Sequence, residues 1–187
     1  HRPAIARGVK IGPLELELVD DPRNPLAPSI RFFDDEGVAT SKRFLVEAGT
    51  VVDYHHTRHT AFVYQSKPGS AYGLFRTPTP FHTTLVVGRG DWGDKEIVEE
   101  TPRGFYIDGV AMAVFERGFI RLVPENAYVI EQREIRQPIM LRSVKIPLAK
   151  LSTISAIGRR QFLRVSDEKD HLVSELAPHV RLEGYVE

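Results

Sequence analysis

Residues Arg43 to Tyr64 read RFLVEAGTVVDYHHTRHTAFVY, and whether this stretch is strand or helix decides both the fold and the chemistry. His55 and His59 are spaced i, i+4, the spacing of a zinc-binding pair on a helix. The flanking residues argue for strand instead. Arg43–Glu47 and Thr50–Tyr54 are rich in Phe, Val, Thr and Tyr, and Ala48-Gly49 between them is a tight turn. On a strand, residues i and i+4 share a face but lie about 13 Å apart, too far to share one ion with bonds of about 2 Å. His56 then points to the opposite face. The expectation is a β-hairpin whose second strand ends in a turn carrying His55, His56 and His59. A metal site built from these residues, with His82 as a further candidate, is the weaker alternative.

Outward from the hairpin, most of the chain has strand character. In GPLELELVDDP, Leu14, Leu16 and Leu18 alternate with Glu15 and Glu17, the period-two pattern of a half-buried strand that stops at Asp21-Pro22. Arg23–Ser29 reads as an irregular loop, and IRFFDDEG as a short strand entering an acidic turn. Asp34, Asp35 and Glu36 lack the ligand spacing of a calcium loop, so a solvated turn is expected. FHTTLVVG is a strand, and DKEIVEE forms about two helical turns before Pro102. Beyond it come GFYIDG, VAMAVFERG, FIRLVPEN, AYVIEQ and EIRQPIMLRSVKIP, with Asp108-Gly109 the stronger hairpin signal and Glu116-Arg117-Gly118 the weaker. PLAKLSTISAIG fits one amphipathic helix from Pro147 to Gly158, with Leu148, Leu151, Ile154 and Ile157 near one face. The fold class expected is mainly β (α+β), one domain over residues 1–187, an antiparallel barrel-like or curved wrapped sheet with one principal helix.

Composition removes several functions. There is no Cys, so thiolate metal sites, disulfides and cysteine nucleophiles are excluded within the chain. Basic and acidic residues balance at 25 each without a long single-sign run, which gives no footprint for nucleic acid or an anionic membrane. At 187 residues and 42% apolar the chain can bury one core, and no apolar run approaches a membrane span. VVGRGDWGD lacks the Lys-Ser/Thr of a P-loop, and Ser152, Thr153 and Ser155 have no paired base. The N-terminal HRPAIARGVK has no secretory pattern and no initiating Met, so a fragment of a longer, cytoplasmic protein is expected.

LELELVDDP, FFDDEGVATSKRFLVEAGTVVDYHHTRHTA, AYVIEQREIRQPIM and LAKLSTISAIG, in that order, resemble the C-terminal domain of the TldD/PmbA family, also called modulators of DNA gyrase. The resemblance covers roughly residues 14 to 165. It implies that catalytic members are zinc peptidases whose His-Glu-x-x-x-His helix lies upstream of this domain, with a Cys near the C-terminus as a further ligand. Neither feature occurs here, so no catalytic residue and no cofactor is expected in this chain. The resemblance further implies a scaffold and assembly domain that helps form a peptide-accepting cavity. Its partner is a TldD/PmbA-like subunit, in a homo- or hetero-oligomer, or the missing N-terminal domain, and its substrate is an unstructured peptide. Gln132-Arg133 departs from the family, which has Asn-Gly at that turn. Gln65 to Pro80, QSKPGSAYGLFRTPTP, falls near the family's peptide cavity and reads as the longest and most mobile loop. Tyr72, Phe75 and Arg76 are its candidates for gripping a peptide. The alternative reading is a free-standing β-rich binding module unrelated to peptidolysis.

Overall fold

The computed structural model describes residues 3–73, 77–168 and 171–187. Strand β1 (Leu18–Asp20) is followed by a hairpin of β2 (Arg43–Glu47) and β3 (Thr50–Val51), with Glu47 opposite Thr50. The turn holds Ala48 at φ 48° and Gly49 at φ 72°, the paired left-handed conformation that matches strand twist in two-residue hairpins. A Cβ on Gly49 would meet the Gly12 carbonyl oxygen at 2.2 Å. Only glycine therefore lets the N-terminal segment lie across the turn, where the Ile11 and Gly12 N–H groups donate to the Gly49 carbonyl at 2.7 and 3.1 Å.

The expected continuation of this strand to Tyr54, followed by a turn, is corrected. Pairing ends at Val51 and the chain enters helix α1 (Arg58–Tyr64). Thr57 is the reason. Its hydroxyl accepts from the Thr60 N–H at 3.2 Å while the Thr60 hydroxyl accepts from the Thr57 N–H at 3.0 Å, a reciprocal cap that satisfies two otherwise orphaned donors. Arg58 N–H donates to Glu36 Oε2 at 2.7 Å, so the acidic turn closes the same helix end.

That turn is not the solvated loop expected. Asp34 is buried. Its Oδ1 accepts from the Glu36 and Val38 N–H groups and its Oδ2 from the Ala71 N–H, and Asp35 Oδ2 accepts from the Gly73 N–H. Backbone donors fill the positions a cation would use, and they pin β4 (Ala71–Tyr72), which pairs with β5 (Thr79–Pro80). The segment expected to be the most mobile thus holds Ser70, Ala71 and Tyr72 in the interior.

β6 (Thr84–Val87) leads to α2 (Asp94–Glu99), then to long strands β7 (Arg103–Glu116) and β8 (Phe119–Glu131) and to β9 (Glu134–Pro138). The hairpin expected at Asp108-Gly109 is absent: β7 runs through it. Gly109, at φ 83°, sits beside a bulge where the register slips between Val110, opposite Pro124, and Met112, opposite Val123. Pro124 has no N–H for the ladder, which explains an irregularity there. The chain reverses instead at the weaker signal, Arg117-Gly118, with φ 47° and 89°.

β10 (Val144–Pro147) is followed by a 3-10 segment, Leu148–Thr153, and by β11 (Ala156–Glu168), β12 (His171–Arg181) and β13 (Tyr185–Val186). The principal helix expected over Pro147 to Gly158 is therefore replaced by a 3-10 turn, a short link at Ile154 and Ser155, and the first residues of β11. Ser152 and Thr153 hydroxyls donate back to the Ala149 and Lys150 carbonyls, both at 2.7 Å, and compete with α-helical bonding. The β-branched Ile157 then enters the ladder opposite Val180.

Six strands form one sheet in the order β11-β12-β6-β1-β2-β3, antiparallel throughout except for β12 against β6. A second sheet runs β13-β10-β8-β7, with β9 also on β8. Both are open, and the wrapped-sheet expectation holds rather than the barrel. Val19, Val46, Val51, Val173 and Leu176 form the core of the first sheet.

Candidate functional site

The four histidines of the sequence reading do not converge. His59 is exposed on α1, and His55 lies two residues before the cap, so the i, i+4 pair is never presented on one helix. His56 is 1% exposed and faces Asp53. Its Nε2 is 3.1 Å from Asp53 Oδ1 and its Nδ1 is 3.2 Å from Thr60 Oγ1. Burial holds its imidazole below the ordinary value despite the Asp53 charge, so it is neutral at pH 7 and donates from Nε2. Asp53 also takes Arg43 and Arg7, each at 2.7 Å, and the Ser66 hydroxyl at 2.7 Å. Burial alone would raise the Asp53 carboxyl; the Ser66 hydroxyl, the Tyr54 N–H, His56 and Arg43 outweigh it and hold it low. This cluster ties β2 to α1.

His55 and His82 do meet, with ring centroids 6.1 Å apart. His55 Nε2 lies 3.2 Å from Asp20 Oδ2. Asp20 is 2% exposed, and its Oδ1 accepts from the Thr84 N–H at 2.9 Å and from the Thr83 N–H and hydroxyl at 3.2 Å. Burial pushes its carboxyl up, but His55 and those N–H groups more than compensate and hold it below the usual range. Beneath it, Ser29 Oγ lies 2.8 Å from both Thr84 Oγ1 and Ser174 Oγ, a buried hydroxyl cluster joining β6 to β12.

His82 opens a different prospect. Its Nε2 is buried without a hydrogen-bond partner, and burial first, then the nearby His55, keeps its imidazole below the ordinary value. One ligand atom each of His82, Glu168 and Glu175 lie within 4.8 Å of one another. The two carboxylates come from β11 and β12, in the tail that carried no motif; alternating polar residues Arg164, Ser166 and Glu168 were the available signal.

On the far side, a groove of about 720 Å³ lies between α2 and the β7 and β9 strands, lined in part by Asp94, Tyr106, Arg133 and Ile135. At its wall Tyr106 Oη is 3.3 Å from His179 Nε2, and His179 Nδ1 is 3.0 Å from Asp94 Oδ1. Burial, then Asp108 and Asp94, push the Tyr106 phenol up, so it remains protonated and donates to the ring. Of the expected peptide-gripping residues, Tyr72 is 1% exposed, its ring tilted against that of His171 with centroids 5.1 Å apart and lying beneath Arg31; it is packed as a core residue rather than offered to solvent. Phe75 and Arg76 lie outside the described residues.

Open, curved, mostly antiparallel sheets with long hairpin arms define a β-rich domain. The chain matches the PmbA/TldA metallopeptidase C-terminal domain over residues 5–186 and so belongs to the TldD/PmbA family. It is 28% identical over 135 residues to a metalloprotease of Methanocaldococcus jannaschii, covering 70% of this chain and 30% of that protein. A Synechocystis metalloprotease is 31% identical over 135 residues, with 71% and 29% covered. This chain thus spans less than a third of the length of those relatives. Among solved structures, TldE from Thermococcus kodakarensis superposes with a TM-score of 0.78 at 23% identity, over 96% of this chain and 41% of that one. A Thermotoga maritima protein described as a modulator of a DNA gyrase gives 0.76 at 26% identity, over 96% and 40%.

The metalloprotease names raise the fit of zinc to the residues present. The chain has no Cys and no His-Glu-x-x-x-His pattern, so the ligand set that the family resemblance implies is not here. His82, Glu168 and Glu175 instead supply one nitrogen and two carboxylates, a donor set zinc accepts.

Proposed function

We propose that this chain is the scaffold and assembly domain of a TldD/PmbA-like protein, forming one wall of a peptide-accepting cavity whose peptidase zinc and general base come from another domain or subunit. The observation that carries this reading is the exposed apolar surface of the hairpin arms. Met112, Val114, Phe115 and Phe119 on the β7–β8 arm are all exposed, as are Phe162, Leu163, Val165 and Leu172 on β11 and β12. Exposed large apolar side chains concentrated on two hairpin arms are what a contact face requires. β7 is the last strand in the order of the second sheet, and such an edge can take an extended peptide through main-chain hydrogen bonds without demanding a particular sequence. In this reading the substrate is an unstructured peptide, the partner is a TldD/PmbA-like subunit or N-terminal domain, and the setting is the cytoplasm. The chain's own residues hold the wall in place: Asp20 and Asp53 lock the strands, and Asp34 fixes the β4 edge.

Light scattering tests the assembly. The chain should form a dimer or larger species, or a one-to-one complex when mixed with a TldD-type subunit. A monodisperse monomer across micromolar to millimolar concentration that ignores such a subunit would favour a free-standing binding module.

A further inference from the structure

We infer that His82, Glu168 and Glu175 form a divalent-cation site of this domain's own, taking a first-row ion of the zinc class. This goes beyond the scaffold reading and does not depend on it. Glu168 and Glu175 come from the neighbouring strands β11 and β12, and His82 from the residues just ahead of β6, the next strand in the same sheet. His82 directly precedes Thr83 and Thr84, whose N–H groups are fixed on Asp20. Glu175 sits on β12 opposite Leu85 of β6, and Glu168 closes β11 opposite His171. The backbone frame is therefore set before any ion arrives.

The ligand atoms lie within 4.8 Å of one another, whereas a tetrahedral shell with bonds of about 2.1 Å places neighbours about 3.4 Å apart. Side-chain rotation of about an ångström closes that gap. The second observation is the His82 Nε2, buried with neither protein donor nor acceptor. An imidazole nitrogen buried without a partner is destabilising, and a metal ion is a partner that satisfies its lone pair without a proton.

The donor set selects the ion. One imidazole and two carboxylates suit zinc, manganese or cobalt, while calcium and magnesium prefer all-oxygen shells of six or more ligands. Two carboxylates also neutralise a 2+ charge. Arg164 Nη1, 3.7 Å from Glu175 Oε2, is the cation that now competes for that carboxylate, and the Ser166 hydroxyl, donating to Glu168 Oε1 at 3.1 Å, orients the other.

The test uses the chelator-treated, dialysed chain. Zinc is titrated calorimetrically, and cobalt is followed by its visible absorption, which reports coordination rather than loose association. One ion per chain with micromolar or tighter affinity is expected. His82→Ala, and separately Glu175→Gln, should weaken binding at least about tenfold, whereas Arg164→Ala should tighten it and His59→Ala leave it unchanged. Glu175→Gln keeps the test decisive if His82→Ala does not fold, because Glu175 is not part of the Asp20 network. No binding at micromolar zinc, or binding that survives Glu175→Gln and Glu168→Gln together, overturns the proposal.

Discussion

Replacing Asp20 with alanine should be among the most damaging single changes in this chain. Asp20 Oδ1 is the acceptor for three donors, the Thr84 N–H at 2.9 Å and the Thr83 N–H and hydroxyl at 3.2 Å, while His55 lies against Oδ2. Thr83 and Thr84 are both 0% exposed, so water cannot replace the lost acceptor. The hydroxyl can rotate away, but the two backbone N–H groups cannot. Each buried unsatisfied donor costs about 1–3 kcal/mol, giving a loss of about 2–6 kcal/mol against the total of about 5–15 that a domain usually holds. Asp20→Asn retains an acceptor oxygen and loses only the charge-assisted part, for a loss of about 1–2 kcal/mol. Urea unfolding at pH 7 separates the three proteins. With a slope of about 2 kcal/mol/M, the alanine variant should shift the midpoint down by about 1–3 M and the asparagine variant by less than about 1 M. An alanine variant within about 0.3 M of the parent would refute the claim that Asp20 holds β1 to β6 by satisfying buried donors.

Two further outcomes follow from local geometry. Gln132 and Arg133 turn the β8–β9 hairpin at φ 53° and 66°, a left-handed conformation costly for both residues, so Gln132→Asn with Arg133→Gly should raise stability by about 1–2 kcal/mol; an unchanged urea midpoint would mean that other contacts already offset the strain. Burial depresses the imidazoles of His56 and His82, so the unfolded chain binds protons more readily than the native one. Stability should then be full above about pH 6.5 and decline as pH falls below it through the folded values, with a second decline below about pH 4 as Asp20 and Asp53 protonate. Midpoints that stay flat or rise between pH 7.5 and 5 would contradict the neutral, buried state of the two rings.

What the sequence disclosed, and what it hid, divides along the range of the interactions involved. The β2–β3 hairpin was legible because Ala48-Gly49 and the flanking β-branched residues act within a few positions of one another. The strand character of Gly104 to Pro138 was legible for the same reason, but not its division into the long strands β7 and β8. α1 was not, because Thr57 and Thr60 cap a segment whose Phe62, Val63 and Tyr64 have strand preferences; the reciprocal threonine pair was the overlooked signal. Asp108-Gly109 misled because a bulge and a turn both use a left-handed glycine, and only the cross-strand partner Pro124 distinguishes them. The Leu148 to Ile157 spacing misled because a four-position pattern cannot exclude a 3-10 turn feeding a strand. As for the candidate site, His82 was visible as a residue. Its partners were not: Glu168 and Glu175 reach it only through the β12–β6 parallel pairing, a contact across about 90 positions. The placement of Tyr72 in the interior rather than in a mobile loop was hidden because the Asp34 and Asp35 clamps on its strand lie more than thirty residues upstream.

The central claim is that this domain builds part of a peptide cavity and takes its peptidase zinc from elsewhere. The most direct measurement is cleavage of an unstructured peptide by the chain alone, by a zinc-loaded TldD-type subunit alone, and by the two mixed in equal amounts. The account predicts no cleavage by the chain, chelator-sensitive cleavage by the mixture above that of the subunit alone, and loss of the enhancement when Phe115 and Phe119 on the exposed arm are both changed to Asp. Cleavage by the chain alone, abolished by chelator and unaffected by the subunit, would contradict it.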